Sequence, residues 1–467
     1  MEEVVLIYGT ADILKKHSQL SNVLQQRVFP PLGLLYLAAV LEKERIKVSL
    51  IDLTVAKDGI QKAIEQIKSS KPKVIGINVT SFNLYLVRLL ISRIRKVSSD
   101  SRIVIGGTHV HYCPDSVIYL DADFGVISDG EYSLLALVKE LFNNRSNFRH
   151  IPNLITKNSG GIEVNTLKMI EDLDNLPFPA RHFWRHKFYS PLIAGRAATT
   201  VTSRGCIFGC IFCAIPNKGT FRVRSAGNVI DEFEYLERQG FKYAELLDDT
   251  FTLDKDRAKL ICEELIRKKI NLKWTCSTRI DCVDRQLLCL MGKAHCTHIK
   301  YGIESGSEFV RNKIMKKFIK NSQIKNVVKD TKKAGILAEG LFIVGMPGES
   351  LEDIRLTLKF SKEIGLDYAD FHLGTLVPGS EIFQKATNER IIPSNIWEEV
   401  AKGQRMPYSV PDKIPLTKIL YFRKKAMRDY YFSIDFLFRE LFLRTKDFAS
   451  LINKAKVLLK LFNLYNV

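Results

Sequence analysis

Through the first 145 residues, apolar runs of three to six residues alternate with longer stretches whose apolar positions recur at helical spacing. That is the pattern of parallel strands covered by helices on both faces. The runs at 3–8, 48–52, 73–78, 103–105 and 123–127 predict strands, and the stretches at 32–44, 85–97 and 132–142 predict helices. Together they predict a doubly wound, Rossmann-like α/β unit, whose ligand lies beyond the carboxyl ends of the strands. Two Gly-rich loops stand at those ends, Gly106-Gly107-Thr108-His109 and Ser128-Asp129-Gly130-Glu131. Taken alone, such glycines mark tight strand-to-helix turns more often than a cofactor loop.

From residue 197 the pattern becomes repeated strand plus helix. Strands are expected at 198–202, 243–247, 273–277, 298–303, 341–344 and 368–373, with helices such as 226–239 and 256–268 in the intervals. This is the grammar of a partial (β/α)6 barrel. Between the two units, prolines in Ile151-Pro152-Asn153 and Leu176-Pro177-Phe178-Pro179 predict an ordered connector. At the end of the chain, 418–431 and 447–462 read as helices rich in Phe, Tyr, Leu and basic residues. Such a stripe fits either a lid on the barrel mouth or a membrane-surface helix. The expected division is therefore 1–147, a connector at 148–195, the barrel at 196–400 and a basic helical region at 401–467.

Composition narrows the class. The chain has 467 residues, 46% of them hydrophobic and 15 of them proline, which fits two or three folded domains. No apolar run approaches the roughly 18 residues of a membrane span. The start, Met1-Glu2-Glu3-Val4-Val5, lacks a signal-peptide layout, so a cytoplasmic protein is expected. Six of the nine cysteines show no disulfide-scaffold spacing and read mostly as buried thiols. A net charge of +19 favours anionic partners or reflects a basic background. No Lys/Arg block is long enough for a recognition tail, so nucleic acid is not the expected partner. The charge is concentrated late, with 14 Lys and Arg against five Asp and Glu over 401–467.

The chemistry lies in Thr202-Ser203-Arg204-Gly205-Cys206-Ile207-Phe208-Gly209-Cys210-Ile211-Phe212-Cys213. The C-x-x-x-C-x-x-C spacing of Cys206, Cys210 and Cys213 offers three thiolates to one compact cluster, leaving one iron of a [4Fe-4S] cube open. The rival readings are chance spacing or zinc, but structural zinc wants a fourth ligand, and His182 and His186 lie at no finger spacing. The loop follows the first barrel strand, where barrel chemistry sits. Three further segments close later strands: Asp248-Asp249, Gly302-Ile303-Glu304-Ser305 and Gly345-Met346-Pro347-Gly348-Glu349. By themselves they read as a helix N-cap, an acidic turn and a Gly turn.

With Phe212 just before its last Cys, this triad resembles that of the radical S-adenosylmethionine (SAM) enzymes, and over about residues 1–400 the chain resembles their branch with an N-terminal cobalamin-binding domain. The resemblance implies a [4Fe-4S] cluster on Cys206, Cys210 and Cys213 whose open iron chelates SAM and yields a 5'-deoxyadenosyl radical. It implies Asp248 and Asp249 for the SAM ammonium, Glu304 and Ser305 for the ribose, and Gly345, Gly348, Glu349 and Phe212 beside the adenine. It also implies a cobalamin cradle built from Pro30-Pro31-Leu32-Gly33-Leu34, Thr80, Ser81, Gly106, Gly107, His109, Gly130 and Glu131. No D-x-H-x-x-G supplies a lower axial histidine, and His17, His109 and His111 read as loop or surface residues. Leu376-Val377-Pro378-Gly379-Ser380 lacks the aromatic residue many relatives have there.

The implied activity is methyl transfer from methylcobalamin to an unactivated carbon of a small or lipid-like metabolite. The alternatives are a cobalamin-dependent radical cyclase or rearrangement enzyme, a transfer-RNA methylthiotransferase-like enzyme, and a non-catalytic cobalamin or redox sensor. Methylthiotransferases need additional N-terminal cysteines, and only Cys113 precedes the triad. An electron donor such as flavodoxin or ferredoxin is implied, and the C-terminal region offers a peripheral membrane contact.

Overall fold

The computed structural model describes residues 3–9, 30–54, 59–183, 196–405 and 414–440. Two sheets organise them. The first contains β1 (Val4–Tyr8), β2 (Val48–Asp52), β3 (Val74–Asn78), β4 (Arg102–Gly106), β5 (Phe124–Val126), β6 (Leu154–Asn158) and β7 (Gly161–Val164), in the order β2-β1-β3-β4-β5-β6-β7. The first five run parallel, and β6 and β7 add antiparallel to the β5 edge. Residues 154–164, inside the expected connector, thus extend the first sheet. Alternation divides β1 between two cores: Val4 and Leu6 pack with Leu34, Ala38 and Leu137 on one face, Val5 and Ile7 with Val87 and Ile91 on the other. A strand covered by helices on both sides needs this continuous apolar run.

The ribbon β9 (Ser203–Arg204) and β10 (Arg222–Val223) brackets the cysteine loop. The second sheet is built from β8 (Ala197–Thr200), β11 (Tyr243–Leu246), β12 (Lys273–Thr278), β13 (Cys296–Glu304), β14 (Leu337–Val344) and β15 (Tyr368–Leu373). All six are parallel and lie in chain order, the curl of a partial barrel. Their helix-facing side forms one large core with Phe233, Trp274, Tyr301, Phe342 and Phe371. The core beneath the helix Leu84–Val97 of the first unit also takes in Met346, Leu376, Ile396 and Trp397 from the second. The two units therefore pack through apolar surface as well as through chain connection.

The helix Leu416–Tyr431 is held against the barrel by one face. Its Ile419, Ala426, Met427 and Tyr430 are buried in the core of the barrel's outer layer. An amphipathic stripe records that a face is buried, but not what buries it. The expected helix at 447–462 lies outside the described residues, as do His17 and His186. Among the described residues, no helix is long and apolar enough to cross a membrane.

Candidate functional site

The carboxyl ends of the barrel strands converge where the cysteine loop emerges. Gly205, at φ +90, starts this loop; a Cβ there would stand 2.4 Å from the Thr220 carbonyl oxygen, so only glycine fits. The loop closes through Gly219 N–H on the Cys206 carbonyl (3.0 Å) and Cys213 N–H on the Cys210 carbonyl (3.2 Å). Cys210 is buried, while Cys206 and Cys213 are half-buried. Burial pushes the Cys213 thiol up, and the charges of Cys210 and Asp249 add to the shift, so these groups share one site. Phe212 is half-buried against the apolar core between the units.

The two aspartates after β11 do different work. Asp248 is buried and accepts from Thr202 N–H (2.7 Å), Thr202 Oγ1 (2.6 Å) and Ser203 Oγ (2.6 Å), so it pins the entry to the cysteine loop. Asp249 accepts the Gly205 N–H and remains open to solvent beside the cysteines. It is the better-placed partner for a ligand cation.

Glu304 ends β13 at φ +69, where the register with β14 shifts. A bulge of this kind re-aims a side chain. Its carboxylate pairs with Lys317 at 2.6 Å in a buried ion pair. A Cβ on Gly302 would come within 2.5 Å of Glu304 Oε1 and 2.6 Å of Lys317 Nζ, which explains the glycine. Ser305 points elsewhere, its hydroxyl paired with Thr357 at 2.9 Å and accepting Ser307 N–H. Glu349 folds back into its loop, with Oε2 accepting Gly345 N–H (2.6 Å) and Met346 N–H (3.1 Å). Among the described residues its Oε1 is buried without a partner, and burial pushes its pKa up to about 7. Gly345 and Gly348 hold φ +85 and +83, as this turn requires.

On the first unit, the loops implied for cobalamin meet at the carboxyl edge of the sheet, and several are already committed. Asn83 ties the ends of β1 and β3 by donating to the Gly9 carbonyl (2.7 Å) and the Asn78 carbonyl (3.0 Å), and it accepts Thr80 N–H (2.8 Å). His109 is buried, contrary to the loop or surface expectation. Nδ1 meets Ser81 Oγ at 2.9 Å, Nε2 meets Tyr119 OH at 2.6 Å, and the ring lies against Trp397. With both nitrogens engaged and burial lowering its pKa to about 3, it is a neutral core residue and no axial ligand. His111 Nδ1 accepts Ser128 N–H at 3.2 Å. Gly107, at φ +122, lets the turn pass the Val79 carbonyl, which a Cβ would approach to 2.5 Å. Gly106 lies in the same turn, where a Cβ would be tolerated at 3.4 Å from the Val126 carbonyl.

The loop 128–131 turns toward the barrel. Asp129 takes Arg204 Nη1 (2.8 Å) and Arg222, and Glu131 takes Arg204 Nη2 (2.6 Å). Ser128 pairs with Asn217, and Tyr112 OH donates to the Ile215 carbonyl at 2.5 Å. Glu131 is thus a partner of the barrel, with Gly130 the turn that presents it. Sequence reasoning missed this clamp and Lys317, because these partners are far apart in the chain, and it missed Arg279, whose Nη1 donates to Cys210 Sγ 69 residues away. Arg279 had one available signal, its position directly after β12.

The residues fit the implied groups in part. Three thiols from one loop, with Asp249 open beside them, suit a cluster that keeps one iron free. Among the described residues no three or more His, Cys, Asp or Glu side chains converge on a single-ion site. The buried Glu349 Oε1, unpartnered among the described residues, marks a polar spot at the mouth. Among the described residues, nothing stands within 4 Å of a Cβ placed on Gly33, at the start of the helix Leu32–Lys43.

Comparison with known proteins gives the same two-part division. The radical SAM superfamily matches residues 200–361 and the B12 binding domain matches residues 26–138. An uncharacterised methyltransferase of Pyrococcus horikoshii is 29% identical over 416 residues, covering 86% of this chain and 87% of its own. The cytidylyl-2-hydroxyethylphosphonate methyltransferase of Streptomyces wedmorensis is 28% identical over 427 residues, 78% of each chain. The structure of the radical SAM methyltransferase TsrM from Kitasatospora setae, with cobalamin and a [4Fe-4S] cluster bound, has a TM-score of 0.68 at 20% identity, over 83% of this chain and 75% of that one.

Proposed function

We propose that this chain, which belongs to the radical SAM enzymes carrying a cobalamin-binding domain, transfers a methyl group to an unactivated carbon of a small-molecule substrate. When bound, the [4Fe-4S] cluster supplies the electron that splits SAM into a carbon radical, and cobalamin carries the methyl group. The observation that supports this reading is the cysteine loop itself. It stands at the carboxyl end of the barrel's first strand and is clasped by the ligand edge of the first sheet through Tyr112, Ser128, Asp129 and Glu131.

In this reading Cys206, Cys210 and Cys213 hold the cluster and Asp249 takes the SAM ammonium. Glu304, locked by Lys317, faces the ribose, and the turn Gly345–Glu349 lies by the adenine. Asp248 and Ser305 act one step removed, by fixing the backbone. The edge near Gly33 and Thr80 takes cobalamin without a histidine below it. The divisions 1–147, 148–195, 196–400 and 401–467 remain our domain proposal, with β6 and β7 as the connector's contribution to the first sheet. A low-potential one-electron donor and a reducing, cytoplasmic setting suit the chemistry. Peripheral lipid contact by the basic C-terminal region uses faces other than the one Ile419 and Met427 bury.

The test is anaerobic reconstitution with iron, sulfide and cobalamin, then reduction in the presence of SAM. Bound cobalamin with both S-adenosylhomocysteine and 5'-deoxyadenosine is the expected result. Deoxyadenosine alone would point to cyclisation or rearrangement, and a cluster with no cobalamin would overturn the mechanism.

A further inference from the structure

We infer that Arg279 raises the reduction potential of the cluster by holding a fixed positive charge and a hydrogen bond against Cys210. The inference rests on the proposed role of Cys210 as a cluster ligand. Arg279 follows β12, and its side chain is only 9% exposed. Its guanidinium is fixed on several sides. Asp281 accepts from Nε at 2.9 Å and from Nη2 at 2.7 Å, the Lys317 carbonyl accepts from Nη2 at 3.3 Å, and the Phe208 ring lies 3.7 Å from the guanidinium carbon. That arrangement leaves Nη1 free of the carboxylate, and Nη1 donates to Cys210 Sγ at 3.5 Å.

A planar fork suits this division, because Asp281 occupies one edge while the remaining nitrogen faces the sulfur. Lysine cannot reproduce it. Asp281 is the more exposed partner, 34% against 9%, so solvent screens its charge more than that of the guanidinium. Adding one electron to the cluster from a low-potential one-electron donor increases its negative charge by one. A neighbouring cation and a hydrogen bond to sulfur both favour the reduced state more than the oxidised one. Arg279 acts through Cys210 and so is a positioning and electrostatic residue.

The test is an EPR-monitored redox titration of the reconstituted protein without SAM or substrate, with iron content measured on the same samples. R279Q is expected to shift the midpoint to lower potential. Poised with dithionite at the wild-type midpoint, its cluster should be about threefold less reduced than wild type. R279K, which keeps the charge and loses the fork, should fall between the two. D281N, which removes a negative charge while Phe208 and the Lys317 carbonyl still hold the guanidinium, should shift the midpoint upward. A merely structural role would not give opposite signs. R279Q with full iron at the wild-type midpoint would overturn the inference. Should R279Q fail to hold iron, a D281N midpoint at or below wild type overturns it instead. A wild-type protein that takes up no cluster would sink the proposed function, and this inference with it. A loaded wild type whose midpoint ignores both substitutions sinks this inference alone.

Discussion

At the scale of single residues, burial sets the charge of Glu349. Its ordinary pKa of 4.5 rises to about 7 because the carboxyl is desolvated, and the two N–H groups on Oε2 offset only part of that cost. A carboxyl whose folded pKa is raised binds its proton more tightly folded than unfolded. Its contribution to stability is full below pH 4.5 and is lost as pH rises to about 7. Glu349→Gln should therefore flatten the fall in stability across that window, as read from urea unfolding at several pH values. The cysteines were legible in the sequence because three ligands in eight residues are a local fact. The duties of Asp248 and Asp249 were not, because adjacent residues on an extended segment point to opposite sides. Only the position of Thr202 and Ser203 decides which carboxylate is consumed.

At the scale of elements, an open barrel leaves β15 with unpaired backbone groups, a liability for any edge strand. The helix Leu416–Tyr431 manages it with side chains. Arg423 Nε donates to the Phe371 carbonyl at 2.6 Å, Tyr431 OH to the Ala369 carbonyl at 2.8 Å and Tyr430 OH to the Leu366 carbonyl at 2.9 Å. Arg423→Ala leaves the Phe371 carbonyl without this partner and should cost about 1–3 kcal/mol. Faster amide hydrogen exchange along β15, with the other five barrel strands unchanged, would check it. All six barrel strands were readable from the repeated strand-plus-helix pattern, because each buries one face against a helix wherever the sheet curls. The pairing of β6 and β7 with β5 was not readable, since short half-buried strands carry little pattern of their own.

At the scale of the whole molecule, the two units are joined by apolar packing and by the charged clamp on the cysteine loop. Asp129 and Glu131 are buried, and Arg204 forms an ion pair with each. A second buried set, Glu232 with Arg181, Arg224 and Thr200, ties the connector to β8 and to the helix Ala226–Arg238. Removing one partner of such a pair strands a charge, so Arg204→Ala should cost about 3–5 kcal/mol. Calorimetry is expected to show a lower midpoint, with the two units melting less cooperatively than in the parent protein.

By itself the sequence determined the order of elements, the two-unit plan and the place of the three thiols, because periodicity and ligand spacing are properties of neighbours in the chain. Tertiary structure decided which polar groups remain available for a ligand. Asp248, Ser305, His109 and Glu131 all looked free in one dimension, and each is taken up by a partner at least 10 residues away. A polar group removed from water must find a partner or lose free energy, and that partner is chosen by the packing of distant strands and loops.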